Sequence, residues 1–332
     1  MKTFSDVVGH EKVKEHLQNA ISLNKISHAY IINGDTGSGK KALASLFAKT
    51  IQCEKGGDEP CNNCQSCHQA DSKNQPDIIW VTHEKPGSIG VEDVRLQINS
   101  DILIKPYSSK YKIYIVDEAE KLTVQAQNAL LKTIEEPPSY GIIIFLTTNA
   151  DLFLPTILSR CITLTLKPVK QQLIEKYLME NYQIPDYQAR FAAAFSQGRI
   201  GRAISIAASD DFNALQDDVL QLLKYIDEME ISEIIEAIKR ANVYKLNIED
   251  YIDFMMMWYR DVLMYKSTQN ANVLIFKDEI KYITKTANNR SYEGIDAILK
   301  AMDKAKVRLA ANVNFDLTME LMLLTLKETD NG

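Results

Sequence analysis

Near its start the sequence holds residue types whose spacing suits phosphate chemistry. Gly34-Asp35-Thr36-Gly37-Ser38-Gly39-Lys40-Lys41 follows the apolar run Ala29 to Asn33 and precedes the helical stretch ALASLFAKT. Strand, glycine loop and helix are the context in which G-x-x-x-x-G-K cradles a phosphate chain. Glycines let backbone N–H groups converge on an anion, the helix N-terminus adds partial positive charge, and Lys40 reaches the outer phosphates. Gly34, Thr36, Gly37, Ser38, Gly39, Lys40 and Lys41 are therefore candidate nucleotide-binding residues. The last departs from the motif. A Ser or Thr there supplies the hydroxyl that binds Mg²⁺, whereas an ammonium has no lone pair to give. The expectation is a site for ATP and Mg²⁺ weakened by Lys41, with hydrolysis suffering more than binding.

Other residues support the same chemistry. The run KIYIV (Lys112 to Val116) delivers Asp117 and Glu118 at its C-terminal end, where open parallel sheets place their ligands. Asp117 suits a magnesium-bound water, and Glu118 suits orientation of an attacking water. GIIIFLT (Gly141 to Thr147) is followed by Thr148 and Asn149, which positions Asn149 to touch a γ-phosphate or its water. Two arginines complete the set. Arg160 follows a turn containing Pro155, where a salt-bridged surface arginine and a phosphate clamp read alike. Arg202, in GRIGRAI, opens a helix from which it could reach a bound nucleotide.

Four of the five cysteines, Cys53, Cys61, Cys64 and Cys67, fall in one short loop. Four thiolates satisfy Zn²⁺ as a closed tetrahedral site, which is structural because no position stays open for a substrate. An iron–sulfur cluster is the rival, but its motif wants a further cysteine three residues on, where this chain has Asp71. His68 could replace one thiol, and free thiols are the remaining alternative. A zinc module here would staple an insertion between the loop helix and the next strand.

These groups need a scaffold. The runs AYIIN (Ala29 to Asn33), DIIWV (Asp77 to Val81), KIYIV, GIIIFLT and ITLTL (Ile162 to Leu166) are continuously apolar and alternate with helical stretches. That pattern predicts a parallel sheet covered by helices on both faces. From Lys170 to Ala208 the chain reads as helical, interrupted at Gly198 to Gly201. Beyond Asp210 only amphipathic helices remain, about five, with Leu215, Val219, Leu222 and Leu223 at helical spacing. The 332 residues, 45% apolar and 25% charged, exclude a disordered or fibrous chain. The net charge of -6 argues against a surface that wraps DNA throughout. No apolar run approaches the roughly 18 residues of a membrane span, and MKTFSDVVGH lacks a signal-peptide core. A cytoplasmic location is expected.

FSDVVGHEKV, SHAYIINGDTGSGK, the cysteine insertion, IYIVDEAEKLT, QNALLKTIEEPP, TTNADLFLPTILSRC and GRIGRAI occur in this order. The series resembles the AAA+ clamp-loader subunits of bacterial DNA polymerase III, most closely the delta-prime branch. The resemblance implies a P-loop NTPase domain over residues 1–167 with a zinc-binding insertion at 53–67. A small helical lid at 168–209 and an all-α collar at 210–332 would follow. It makes Arg160 a trans arginine finger for a neighbour's ATP, Asn149 a sensor-1 residue, Arg202 a sensor-2 arginine, and the four cysteines a zinc site. It implies tau/gamma and delta subunits as partners in a hetero-pentamer at the nucleoid-associated replisome, acting on a sliding clamp and primed DNA. Two other readings stand beside a non-motor subunit. One is an ATP-hydrolysing tau/gamma-like motor; the other is a zinc-module DNA-binding protein, which the acidic cysteine loop (Glu54, Asp58, Glu59) disfavours.

Overall fold

The computed structural model describes residues 2–328, and their contacts divide into two compact units. The first comprises residues up to Ile184 together with Ser196–Ile204. Its elements run α1 (Glu11–Ser22), β1 (Ala29–Asn33), α2 (Lys40–Ile51), α3 (Gln65–Asp71), β2 (Ile78–Val81), α4 (Val91–Val94) and β3 (Lys112–Val116). They continue through α5 (Val124–Glu135), β4 (Gly141–Thr147), α6 (Pro155–Leu158), β5 (Ile162–Thr165) and α7 (Gln171–Tyr182). The five strands form one sheet in the order β2-β3-β4-β1-β5, and every pairing is parallel.

The continuous apolarity of the strands has a direct cause in this sheet. Successive side chains point to opposite faces, and both faces are buried. Ile31, Tyr114, Val116, Ile143 and Phe145 pack with Val94, Ile98 and Leu130 on one side. Tyr30, Ile32, Ile113, Ile115, Ile142 and Ile144 pack with Leu17, Leu43 and Phe47 on the other. The strands match the expected runs with two small differences. β2 starts at Ile78, although the Asp77 carbonyl still accepts the Ile113 N–H at 2.8 Å, while the Asp77 carboxylate accepts the N–H groups of Tyr107 (2.6 Å), Ser108 (2.8 Å) and Ser109 (2.9 Å). β5 ends at Thr165, although the Leu166 N–H still donates to the Asn33 carbonyl at 2.7 Å.

The second unit comprises Pro185–Phe195 and the chain from Ser205 on. It holds α8 (Asp186–Phe195); α9 (Ile200–Ala207) belongs to the first unit up to Ile204 and to the second from Ser205. Then follow α10 (Asp210–Tyr225), α11 (Ile231–Ala241), α12 (Ile248–Thr268), α13 (Ile280–Asn289), α14 (Tyr292–Ala310) and α15 (Phe315–Glu328). That makes six α-helices after Ser209 among the described residues, one more than the periodicity suggests. α13 and α14 are separated at Arg290, whose backbone is extended, with Ser291 capping α14 by accepting the Gly294 N–H at 3.0 Å. α12 is central and packs against α10, α13 and α14. Phe254 and Trp258 are fully buried and meet Phe276, with ring centroids 5.0 and 5.7 Å away. Among the described residues no helix is long and apolar enough to cross a membrane.

Candidate nucleotide pocket and cysteine cluster

The strand order brings the candidate phosphate groups together. β1 and β3 flank β4, so the loops leaving their C-terminal ends converge, which is where open parallel sheets hold ligands. Gly37 (φ 81°) and Gly39 (φ 99°) adopt left-handed backbone conformations that let the loop wrap. A Cβ on Gly37 would also lie 3.2 Å from the Arg202 backbone nitrogen. The Gly201 N–H donates to the Gly37 carbonyl at 2.8 Å, fastening the start of α9 to the loop. A cavity of about 350 Å³ results, lined by Thr36, Gly37, Lys40, Lys41, Asp117 and Thr148 among others. Its size lies within the range of small-ligand sites, roughly 300–1,000 Å³.

Inside the cavity the charged groups satisfy one another. The Lys41 Nζ lies 2.5 Å from Asp117 Oδ2, so its ammonium stands beside the carboxylate expected to serve a metal. Lys40 is buried and donates to the carbonyls of Gly34 and Asp35, the latter at 3.0 Å. Burial holds its pKa below the ordinary lysine range, partly offset by Glu120, Asp117 and Asp35. Glu118 takes a left-handed backbone (φ 49°) and accepts from Lys121 Nζ at 2.7 Å. Ser38 is buried, and its carbonyl lies 3.1 Å from His10 Nε2. Desolvation lowers the His10 pKa, favouring the neutral imidazole.

Several neighbours of the candidate groups escape a reading of the sequence alone. Glu120 lines the cavity and accepts from the Thr148 hydroxyl (2.9 Å) and N–H (3.2 Å). Burial by itself would raise its pKa, but N–H groups of Glu120 and Thr148, with that hydroxyl, outweigh it and hold the carboxylate below its usual range. Thr148 rather than Asn149 faces the cavity. The Asn149 Oδ1 accepts the Asp151 N–H at 2.9 Å, capping a short turn. A threonine directly after a buried strand is the only sequence signal for that position. His10 and Glu120 have no signal beyond their types.

Arg160 is not among the residues lining this cavity. Its guanidinium is partly exposed, with Nη1 donating to the Thr156 carbonyl (2.8 Å) and Ser159 Oγ (3.1 Å) and Nη2 lying 3.0 Å from Glu135 Oε1. The preceding turn is pinned from within. Buried Gln127 donates to the Leu152 carbonyl (3.1 Å) and accepts the Leu154 N–H (2.8 Å). Arg202 lies in the first turn of α9, its backbone against Gly37.

The four cysteines gather as their spacing suggests. The Sγ atoms of Cys53, Cys61, Cys64 and Cys67 all lie within 4.8 Å of one another, with Cys61 and Cys67 4.0 Å apart, and none is in a disulfide. Thiolates about 2.3 Å from a tetrahedral Zn²⁺ stand roughly 3.8 Å apart, so the set fits that ion. The Cys61 N–H points at Cys53 Sγ (3.3 Å) and the Cys67 N–H at Cys64 Sγ (3.4 Å), bonds that stabilise thiolate charge. The Asn63 N–H holds the Cys61 thiol down to about 6, whereas burial pushes Cys67 up. His68 is exposed and outside this set. The module is fastened to its surroundings: buried Lys49 of α2 meets Asp71 of α3 at 2.6 Å, and Glu59 accepts the Phe4 N–H at 2.9 Å.

Residues 9–170 match the family described as DNA polymerase III, delta subunit, and residues 221–328 match its C-terminal counterpart. The chain is 30% identical over 321 residues to DNA polymerase III subunit delta′ of Bacillus subtilis, covering 96% of each. It is also 30% identical to DNA polymerase III subunit tau of the same organism, over 91% of this chain and 58% of tau. A solved gamma subunit-related protein of Thermotoga maritima is similar at 20% identity and a TM-score of 0.45, covering 96% of this chain and 98% of that one. Identity of 30% to a delta-prime subunit over 96% of both chains, together with the match to the delta family over residues 9–170, makes this chain a member of the DNA polymerase III delta-prime family of clamp-loader subunits.

Proposed function

We propose that this chain is a non-motor subunit of a DNA polymerase III clamp loader. It completes a five-membered ring with tau/gamma and delta subunits and lends Arg160 to the ATP site of a neighbour while a sliding clamp is loaded onto primed DNA. The observation that carries this reading is the Lys41–Asp117 ion pair. A subunit whose metal carboxylate is engaged by its own lysine is poorly equipped to hydrolyse ATP, and Glu118 is turned toward Lys121. Arg160, by contrast, is partly exposed and steadied by Glu135, as a group serving another polypeptide would be.

In the same proposal residues 1–167 form the AAA+ domain, 168–209 a lid and 210–332 a collar. Arg202 takes one sensor position through its loop contact, and Asn149 takes the other once its side chain leaves the Asp151 N–H. Cys53, Cys61, Cys64 and Cys67 would hold a structural Zn²⁺, which has no open coordination position and therefore no catalytic part. The tau relative, matched over 91% of this chain, favours a motor subunit as the second reading. Steady-state hydrolysis by the purified chain separates the two. A non-motor subunit turns over ATP negligibly with or without Mg²⁺; turnover in the usual enzyme range of about 1 s⁻¹ or more would establish the motor instead.

A further inference from the structure

The Mg²⁺ that usually accompanies a phosphate loop finds no fit among the residues of this pocket. Where a hydroxyl would bind it there is Lys41. The carboxylates around it already have partners: Asp117 has Lys41, Glu118 has Lys121, and Glu120 has the hydroxyl and N–H of Thr148. A divalent ion entering beside Asp117 would displace an ammonium 2.5 Å away and meet its repulsion.

We infer that Lys41 takes the cation's place, so that this pocket binds a nucleoside triphosphate in its metal-free form. An ammonium carries three N–H donors. With one directed at Asp117, two remain for phosphate oxygens. Lys40 and Lys41 are consecutive and both line the cavity, so together they bring two positive charges to one polyphosphate, the charge of a single divalent ion. The loop glycines and the N-terminus of α2 add their N–H groups. The ligand is held and not cleaved, because Glu118, the carboxylate suited to orient a water, is engaged by Lys121. Bound in this way, the nucleotide would be a structural element of the subunit rather than fuel. The inference rests on the loop being a nucleotide pocket and is independent of the role given to Arg160.

The test is calorimetric titration of the purified chain with ATP, once with EDTA and once with excess Mg²⁺. Metal-free binding predicts a measurable Kd in EDTA that Mg²⁺ improves by less than about tenfold, a difference of roughly one decade of affinity. Lys41→Thr, at a side chain 68% exposed, should fold normally and acquire a Mg²⁺ dependence of about tenfold or more. Three results would overturn the inference: tighter binding by tenfold or more with Mg²⁺ in the unaltered chain, no ATP binding in either condition, or a Lys41→Thr variant as indifferent to Mg²⁺ as its parent. None of them bears on Arg160, which is tested in the assembled complex.

Discussion

Lys41, Asp117, Glu120 and Thr148 meet because β1, β3 and β4 end side by side, and no spacing rule in the sequence gives that proximity. The sequence does show that Lys41 lacks a metal-binding oxygen. Which carboxylate it would engage depends on strand order. Asn149 illustrates a related limit: its type suits a phosphate sensor, yet its side chain is spent on the Asp151 N–H, a local use that polar residues at turns often have. His10 gives a prediction at this scale. Its folded pKa is lowered from 6.5, so the native state binds a proton less readily than the unfolded chain. The resulting stability is complete above about pH 6.5 and falls as the pH drops through and below that value. His10→Gln should therefore flatten the loss of urea resistance between neutral and mildly acidic pH. An unchanged pH profile would show that the imidazole beside Ser38 contributes nothing.

At the scale of elements, the strands were legible because burial on both faces leaves an unbroken apolar run, which few other elements show. The cysteine module was legible because ligand chemistry fixes residue type and spacing together. The fastening of that module was not, since Lys49–Asp71 and Glu59–Phe4 join residues distant in sequence. Metal analysis should find one zinc per chain. Chelation or Cys67→Ala should lower the melting temperature and expose the α2–α3 segment to protease; iron, or no metal with four free thiols, would contradict the assignment. The loop supplies another test. Gly37→Ala places a Cβ in a left-handed backbone and 3.2 Å from the Arg202 nitrogen, which should cost about 1–2 kcal/mol in urea unfolding. A neutral substitution would mean that the contact with α9 yields easily.

For the whole molecule, the proposed ring requires apolar surface that the isolated chain leaves uncovered. Leu317 and Leu321 of α15 are 53% and 46% exposed, as are Ile231 (66%) and Ile235 (46%) of α11, a helix packed against α15. Each pair is four residues apart and so shares one helix face. Replacing Leu317 and Leu321 with Ser should leave the melting temperature of the purified chain nearly unchanged while weakening its incorporation into the complex, measured by gel filtration. Equal incorporation would remove this face from the collar. The account as a whole depends on Arg160 serving a site it does not belong to, and one measurement reaches that directly. Complexes reconstituted with Arg160→Ala should assemble fully, while the receiving site loses on the order of 10³-fold in hydrolysis. Clamp-stimulated turnover should then fall by no less than that site's share; turnover equal to that of the unaltered complex would contradict the account.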